Sequence, residues 1–162
     1  MKALITYASW FGHNRAIAKA LAQELASQRV AVICAHISKI TAEDVIGQDL
    51  LVLGTYTHAG RANRRMRNLC DTIPHRRLEH MTIAICGTQS SAVEQASEPS
   101  GVDDLEAHLK ERGIDIVAPP LRINLPGMAA LLPWRGIGAA ERRRIRMFAR
   151  DLLEACVPEP LV

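Results

Sequence analysis

The 162-residue sequence predicts an α/β fold: a doubly wound, five-stranded parallel sheet in the order 2-1-3-4-5, with helices on both faces. Three observations carry that prediction. Short apolar runs alternate with amphipathic stretches along the whole chain. The runs are apolar throughout rather than at every second residue, as a sheet covered on both sides requires. The stretches between them carry apolar residues at helical spacing. Right-handed crossovers then leave few topologies for such strands.

Lys2 to Tyr7 opens the chain as a short buried strand. Ala16 to Gln28 is helical, because Ile17, Leu21 and Leu25 recur at every fourth residue with alanines between them. Val30 to Ile37, β-branched and apolar, is the second strand. Thr41 caps a short helix to Val45 or Ile46, with Glu43 and Asp44 suited to its first turn. Leu50 to Gly54 is the third strand. Arg64 to Ile73 is a helix with Met66, Leu69, Cys70 and Ile73 on one stripe, ended by Pro74. Thr82 to Cys86 is the fourth strand, stopped by Gly87. Val102 to Arg112 is a helix closed by Gly113. Ile114 to Val117 starts the fifth strand, and Leu121 to Asn124 resumes it after Pro119-Pro120. Leu125 to Gly138 reads as an irregular excursion. The last helix spans about Ala139 to Ala155, with Ile145, Phe148, Leu152 and Cys156 on one stripe.

The length suits one domain, residues 1–162, with no linker or repeat. Hydrophobic residues at 48% and charged residues at 23% describe a globular chain rather than a disordered one. No apolar run reaches the roughly 18 residues of a membrane span, and the apolar N-terminal stretch is too short for a signal peptide. The expected location is cytoplasmic. Cys34, Cys70, Cys86 and Cys156 are scattered singly, without the spacing of a zinc or thioredoxin-type motif, and read as buried apolar residues. The net charge is +3 and aromatics are only 4%, so nucleic-acid binding is not expected. The positive charge is mostly arginine, in two groups: Arg61, Arg64, Arg65 and Arg67, then Arg142, Arg143, Arg144, Arg146 and Arg150.

In open sheets of this kind ligands bind beyond the carboxyl ends of the strands, where strand order reverses. The loops there are Ala8 to Asn14, Thr55 to Asn63 and Gly87 to Gly101, all rich in Ser, Thr, Gly, Asn or His. The third is long for a plain connector. GxxxxGK[ST], GxSxG and HExxH are absent, and no GxGxxG follows the first strand. A phospho-receiver is excluded too, since Ser9 and Thr55 stand where it needs acids. The first loop runs Ser9-Trp10-Phe11-Gly12-His13-Asn14 straight into a helix. Backbone N–H groups and short polar side chains at a helix N-terminus suit a phosphate. A plain capped turn, with Ser9 or Asn14 as the cap, is the alternative.

That segment resembles the phosphate loop of the flavodoxins, usually written [ST]-x-[ST]-G-x-[ST]. Gly54-Thr55-Tyr56-Thr57-His58-Ala59-Gly60 resembles the family's second flavin loop, and Gly87-Thr88-Gln89-Ser90-Ser91 its third. The resemblance covers the chain as an ordered pattern. It implies FMN bound non-covalently, with the phosphate on Ser9, Trp10, Phe11, Gly12, His13 and Asn14. The ring would then lie between Thr55, Tyr56, Thr57, His58 and Gly60 on one side and Gly87, Thr88, Gln89 and Ser90 on the other. Tyr56 is the first stacking candidate and Trp10 the second. Phe11 and Asn14 replace two hydroxyl residues, so phosphate binding must lean on backbone donors and the Asn14 amide. The third loop lacks an aromatic ring.

The implied function is electron transfer to or from a partner or small substrate. An FMN-dependent oxidoreductase, protoporphyrinogen-oxidase-like or quinone-linked, is a variant of it, and apolar Met128 to Trp134 would then touch a hydrophobic substrate or a membrane surface, or else pack on the sheet edge. The alternative is a flavodoxin-like binding or scaffold module that has lost its flavin. A nucleotide or phosphosugar enzyme using His13 and His58 ranks below both. An acidic redox partner protein or an anionic ligand is expected at Arg61 to Arg67. No metal site is expected.

Overall fold

A computed structural model describes residues 1–126 and 136–156. Five strands, β1 (Lys2–Tyr7), β2 (Ala31–His36), β3 (Leu50–Tyr56), β4 (Thr82–Ser90) and β5 (Leu121–Leu125), form one parallel sheet in the order β2-β1-β3-β4-β5. The connections hold seven helices among the described residues: α1 (His13–Ser27), α2 (Ala42–Val45), α3 (Arg64–Thr72), α4 (His75–Leu78), α5 (Ser91–Gln95), α6 (Gly101–Glu111) and α7 (Ala139–Ala155).

The continuous apolar strands are explained by two cores. On one face Ala3, Ile5, Val52, Ala84 and Cys86 meet Ile17, Leu21 and Leu25 of α1 and Ile145, Phe148 and Leu152 of α7. On the other, Leu4, Leu51, Leu53, Ile83 and Ile85 meet Met66 and Leu69 of α3 and Val102, Leu105 and Leu109 of α6. Each fully buried Leu or Ile contributes about 1.5–3 kcal/mol. All four cysteines are free thiols; Cys70 and Cys86 are buried as expected, while Cys34 and Cys156 are only half-buried. Burial pushes Cys70 and Cys86 up to about 12, so they stay protonated at neutral pH.

Several boundaries differ from expectation, for nonlocal reasons. β4 does not stop at Gly87 but runs to Ser90, because β5 pairs with its upper half, Thr88 against Ile123 and Gln89 against Asn124. Ile114 to Val117 is not a strand. Ile114 is buried and Val117 N–H reaches the Ile83 carbonyl, but Pro119-Pro120 offers no donors, so ladder pairing begins only at Leu121. The second strand ends at His36, whose ring accepts from Ser38 N–H and opens a single 3₁₀ turn over Ile37–Lys39. The first helix begins three residues earlier than expected, at His13 instead of Ala16. α4 and α5, of four and five residues, are too short to show a period. The apolar segment Met128 to Trp134 lies outside the described residues.

Candidate functional site

The carboxyl ends of β1, β3, β4 and β5 open into a cavity of about 570 Å³, within the usual range for a small-molecule site. It collects twelve of the fifteen residues expected there: Ser9, Trp10, Phe11, His13 and Asn14 from the first loop, Tyr56, Thr57, His58 and Gly60 from the second, and Thr88, Gln89 and Ser90 from the third. The three others support it from outside. Thr55 is fully buried, its hydroxyl accepting from Asn63 N–H at 3.0 Å. A Cβ at Gly87 would lie 2.3 Å from the Thr55 carbonyl oxygen and 2.6 Å from Val102 Cγ2, so that position is glycine for close packing. Gly12 sits at the N-cap of α1 with φ +89°, a left-handed conformation open to glycine at low cost.

The first loop leaves a hydroxyl unmatched. The Ser9 hydroxyl is buried with no hydrogen-bond partner. Gly12 gives α1 no side-chain cap, and the first turn of the helix carries no acid. A dipole end with an orphaned hydroxyl beside it is a setting that fits a phosphate. Asn14 also has a role within the protein. Its Nδ2 donates to the Ala8 carbonyl at 2.9 Å, and its Oδ1 is a buried acceptor without a partner. The amide therefore ties the start of α1 to the end of β1.

The second loop is saturated. Asn63 Nδ2 donates to the Tyr56 hydroxyl at 3.0 Å while Asn63 Oδ1 accepts from Arg65 and Met66 N–H and caps α3. His58 and Arg61 exchange two backbone hydrogen bonds, of 3.1 and 3.0 Å, around Ala59 and Gly60, both at positive φ. That is the signature of a type I′ turn. Trp10 bridges the two loops: its ring lies 6.3 Å from Phe11, 5.9 Å from Tyr56 and 5.6 Å from His58. It is 67% exposed. The rest of the lining has no aromatics: Thr88, Gln89 and Ser90, joined by Leu125 and Glu98.

Leu125, Glu98 and Ala59 were missed as lining residues. Leu125 had a readable signal, since β5 buries Leu121, Ile123 and Leu125 in alternation. Glu98 arrives on the 96–100 segment, where nothing local points to the cavity. Of the arginines, Arg67 pairs with Asp104 at 3.4 Å, while Arg61, Arg64 and Arg65 are exposed. Among the described residues no helix is long and apolar enough to cross a membrane, and no group of His, Cys, Asp and Glu is arranged to hold a metal.

A model of the flavodoxin family matches residues 5–132. No curated protein matches the chain. Among solved structures, flavodoxin 2 of Bacillus cereus is similar with a TM-score of 0.76 and 25% identity, covering 95% of this chain and 99% of that one. Oxidised flavodoxin 1 of the same organism has a TM-score of 0.76 at 19% identity, over 95% and 98% of the two chains. A rubredoxin:oxygen oxidoreductase of Desulfovibrio gigas reaches 0.74 at 15% identity, with 96% of this chain on 36% of that one. A match over most of the sequence, on a sheet of this order with its cavity at the strand ends, means that the chain belongs to the flavodoxin family and is a flavodoxin-like, FMN-binding protein of electron transfer.

Proposed function

We propose that the cavity at the strand ends is the FMN site and that electrons pass from it to an acidic redox partner docked on the neighbouring arginines. The observation that carries the site assignment is the buried, unpartnered Ser9 hydroxyl at the uncapped N-terminus of α1. When bound, FMN supplies reversible electron uptake. The residues of the chain bind it, orient it and exclude water. The Ser9 hydroxyl donates to the phosphate, the backbone from Trp10 to Asn14 surrounds it, and the α1 dipole favours its charge. Tyr56, His58 and Trp10 would stack on the ring, and Thr88, Gln89 and Ser90 would complete the pocket around it. Exposed Trp10 leaves one edge of the site close to solvent and so to a partner.

The partner surface is supported by the first turn of α3. Arg64 and Arg65 oppose the helix dipole there, and no acid stands in that turn. Asp104 neutralises Arg67, but Arg64 and Arg65 have no carboxylate partner among the described residues. An acidic protein relieves that repulsion on docking and is steered to the cavity's rim. Residues 1–162 act as one domain in the cytoplasm, where four free cysteines suit a reducing compartment.

The test is an absorbance spectrum of the purified chain, followed by titration of FMN into apoprotein of the wild type and of Ser9→Ala. The reading expects flavin bands in the protein and affinity at least tenfold weaker in the variant. Colourless protein that takes up no added FMN overturns it.

A further inference from the structure

Behind the cavity's aromatic wall lies the first turn of α6. Gly101 N–H donates to Thr57 Oγ1 at 2.9 Å, and that hydroxyl donates in turn to the Thr88 carbonyl at 3.4 Å. One hydroxyl thus joins the second loop, β4 and α6. At the far end of the loop, Asp104 Oδ2 accepts from Ala62 N–H at 2.9 Å and from Arg67 at 3.4 Å. The Asp104 side chain is only 23% exposed. The contact is close because residue 101 is glycine: a Cβ there would lie 2.5 Å from the Tyr56 carbonyl oxygen and 2.9 Å from that of Arg61. α6 is itself fixed. Ser100 and Asp103 form a capping box, and Asp103 receives Arg122 of β5 at 2.6 Å.

Neither Gly101 nor Asp104 lines the cavity, yet both ends of the segment that carries Tyr56 and His58 rest on them. We propose that Asp104 is a positioning residue for the flavin: by holding Ala62 N–H it fixes the turn that carries His58 of the aromatic wall, and so sets where that ring stands in the cavity. The inference rests on the cavity being the FMN site.

The experiment compares full-length wild type, Asp104→Ala and Asp104→Asn by FMN release rate, visible circular dichroism of the bound flavin, and hydrogen exchange of the Ala62 amide. Asp104→Ala removes the acceptor of that amide. Release becomes about tenfold faster, as loss of one charge-assisted hydrogen bond implies, the flavin dichroism changes, and Ala62 exchanges faster. Asp104→Asn keeps an acceptor for Ala62 N–H and restores all three readouts most of the way, although its ion pair with Arg67 is gone. A lower melting temperature in Asp104→Ala with release rate and dichroism at wild-type values makes the role merely structural and overturns the proposal. Failure of asparagine to rescue also overturns it. If Asp104→Ala does not fold, Thr57→Val against Thr57→Ser tests the other end of the same clamp, with faster exchange of the Gly101 amide expected in valine alone and equal exchange in both rejecting the clamp. A wild type that binds no FMN overturns the cofactor reading instead. In that case exchange of Ala62 in the apoprotein still decides the clamp, and an Asp104→Ala rate equal to wild type rejects it.

Discussion

The first loop and the second loop line one cavity and are built on opposite plans. In the first, between β1 and α1, a hydroxyl is buried without a partner, the helix has no side-chain cap, and the Asn14–Ala8 hydrogen bond holds the chain. In the second, between β3 and α3, Thr55, Thr57, Asn63 and the turn at residues 58–61 have their polar groups matched within the protein. The difference separates two tasks. Donors meant for a ligand must be left unmatched, at a cost to the free protein of about 1–3 kcal/mol for each buried group. A wall meant to stack a ring needs no such donors, so it is made rigid.

The strongest way to break the comparison is to spoil the rigid side. Gly87→Ala places a methyl group against the Thr55 carbonyl and Val102, both part of the second loop's support. Overpacking of that kind costs about 3 kcal/mol, or roughly 6–12 °C of melting temperature in a chain this size. A thermal melt within 2 °C or so of wild type would show that the support is soft.

A pair of substitutions sharpens it. Ser9→Ala weakens FMN binding by about 1.5–3 kcal/mol, while the apoprotein melts at or above the wild-type temperature, because the lost hydroxyl had no partner to desert. Asn63→Ala does the reverse. It removes the α3 cap and the Tyr56 hydrogen bond, lowers apoprotein stability by about 1–2 kcal/mol, and affects FMN chiefly through Tyr56. Isothermal titration and denaturant melts on both variants give the four numbers. Equal stability losses would erase the distinction between the loops.

Charge gives a smaller effect. Arg64→Glu with Arg65→Glu slows association with an acidic redox partner by about tenfold at low salt, and the gap narrows as ionic strength rises. The same change places acids in the first turn of α3 and stabilises that helix by about 0.3–1 kcal/mol per site. Stopped-flow rates across a salt series, beside a melt, separate the two; a rate indifferent to salt removes the docking surface from this rim.

The smallest effect is one of pH. Burial works against ionisation of Asp103, but Ser100 N–H, the Ser100 hydroxyl and Arg122 outweigh it and hold the carboxyl below its usual range. A depressed folded value contributes stability that is complete above the unfolded value of about 3.9 and is lost as pH falls below it. Amides of the second loop, which lean on α6, therefore gain exchange below about pH 4 before those of the first loop do. Asp103→Asn removes that acid-range dependence.

These loops also show how far sequence reading reaches. The sheet order and both cores were legible, because Leu51 to Leu53 and Ile83 to Ile85 are apolar at every residue and Ile17, Leu21 and Leu25 keep helical spacing. The cavity was legible wherever residue type and position coincided, as at Ser9, Tyr56 and Gln89. Asn14 was read correctly as a cavity residue, but its amide turned out to be bonded to Ala8, a hydrogen bond that no spacing reveals. Glu98 and Leu125 reach the cavity only through the pairing of β5 with β4 and the course of the 96–100 segment. Asp104 was invisible for the same reason: its partner, Ala62, lies forty-two positions away.

The run of β4 past Gly87 has a consequence for how this protein can be altered. Thr88 lies in register with Tyr56 on one side and Ile123 on the other, and Ser90 with Leu125. One residue inserted between Gly87 and Thr88 turns Thr88, Gln89 and Ser90 to the opposite side of the sheet and shifts two ladders at once. This wall therefore accepts new side chains but not a new length. An engineer who wants a different cofactor or substrate pocket exchanges residues at positions 88–90 for others of similar size, because Thr88 and Gln89 are buried, and looks beyond Ser91 for any change in the number of residues.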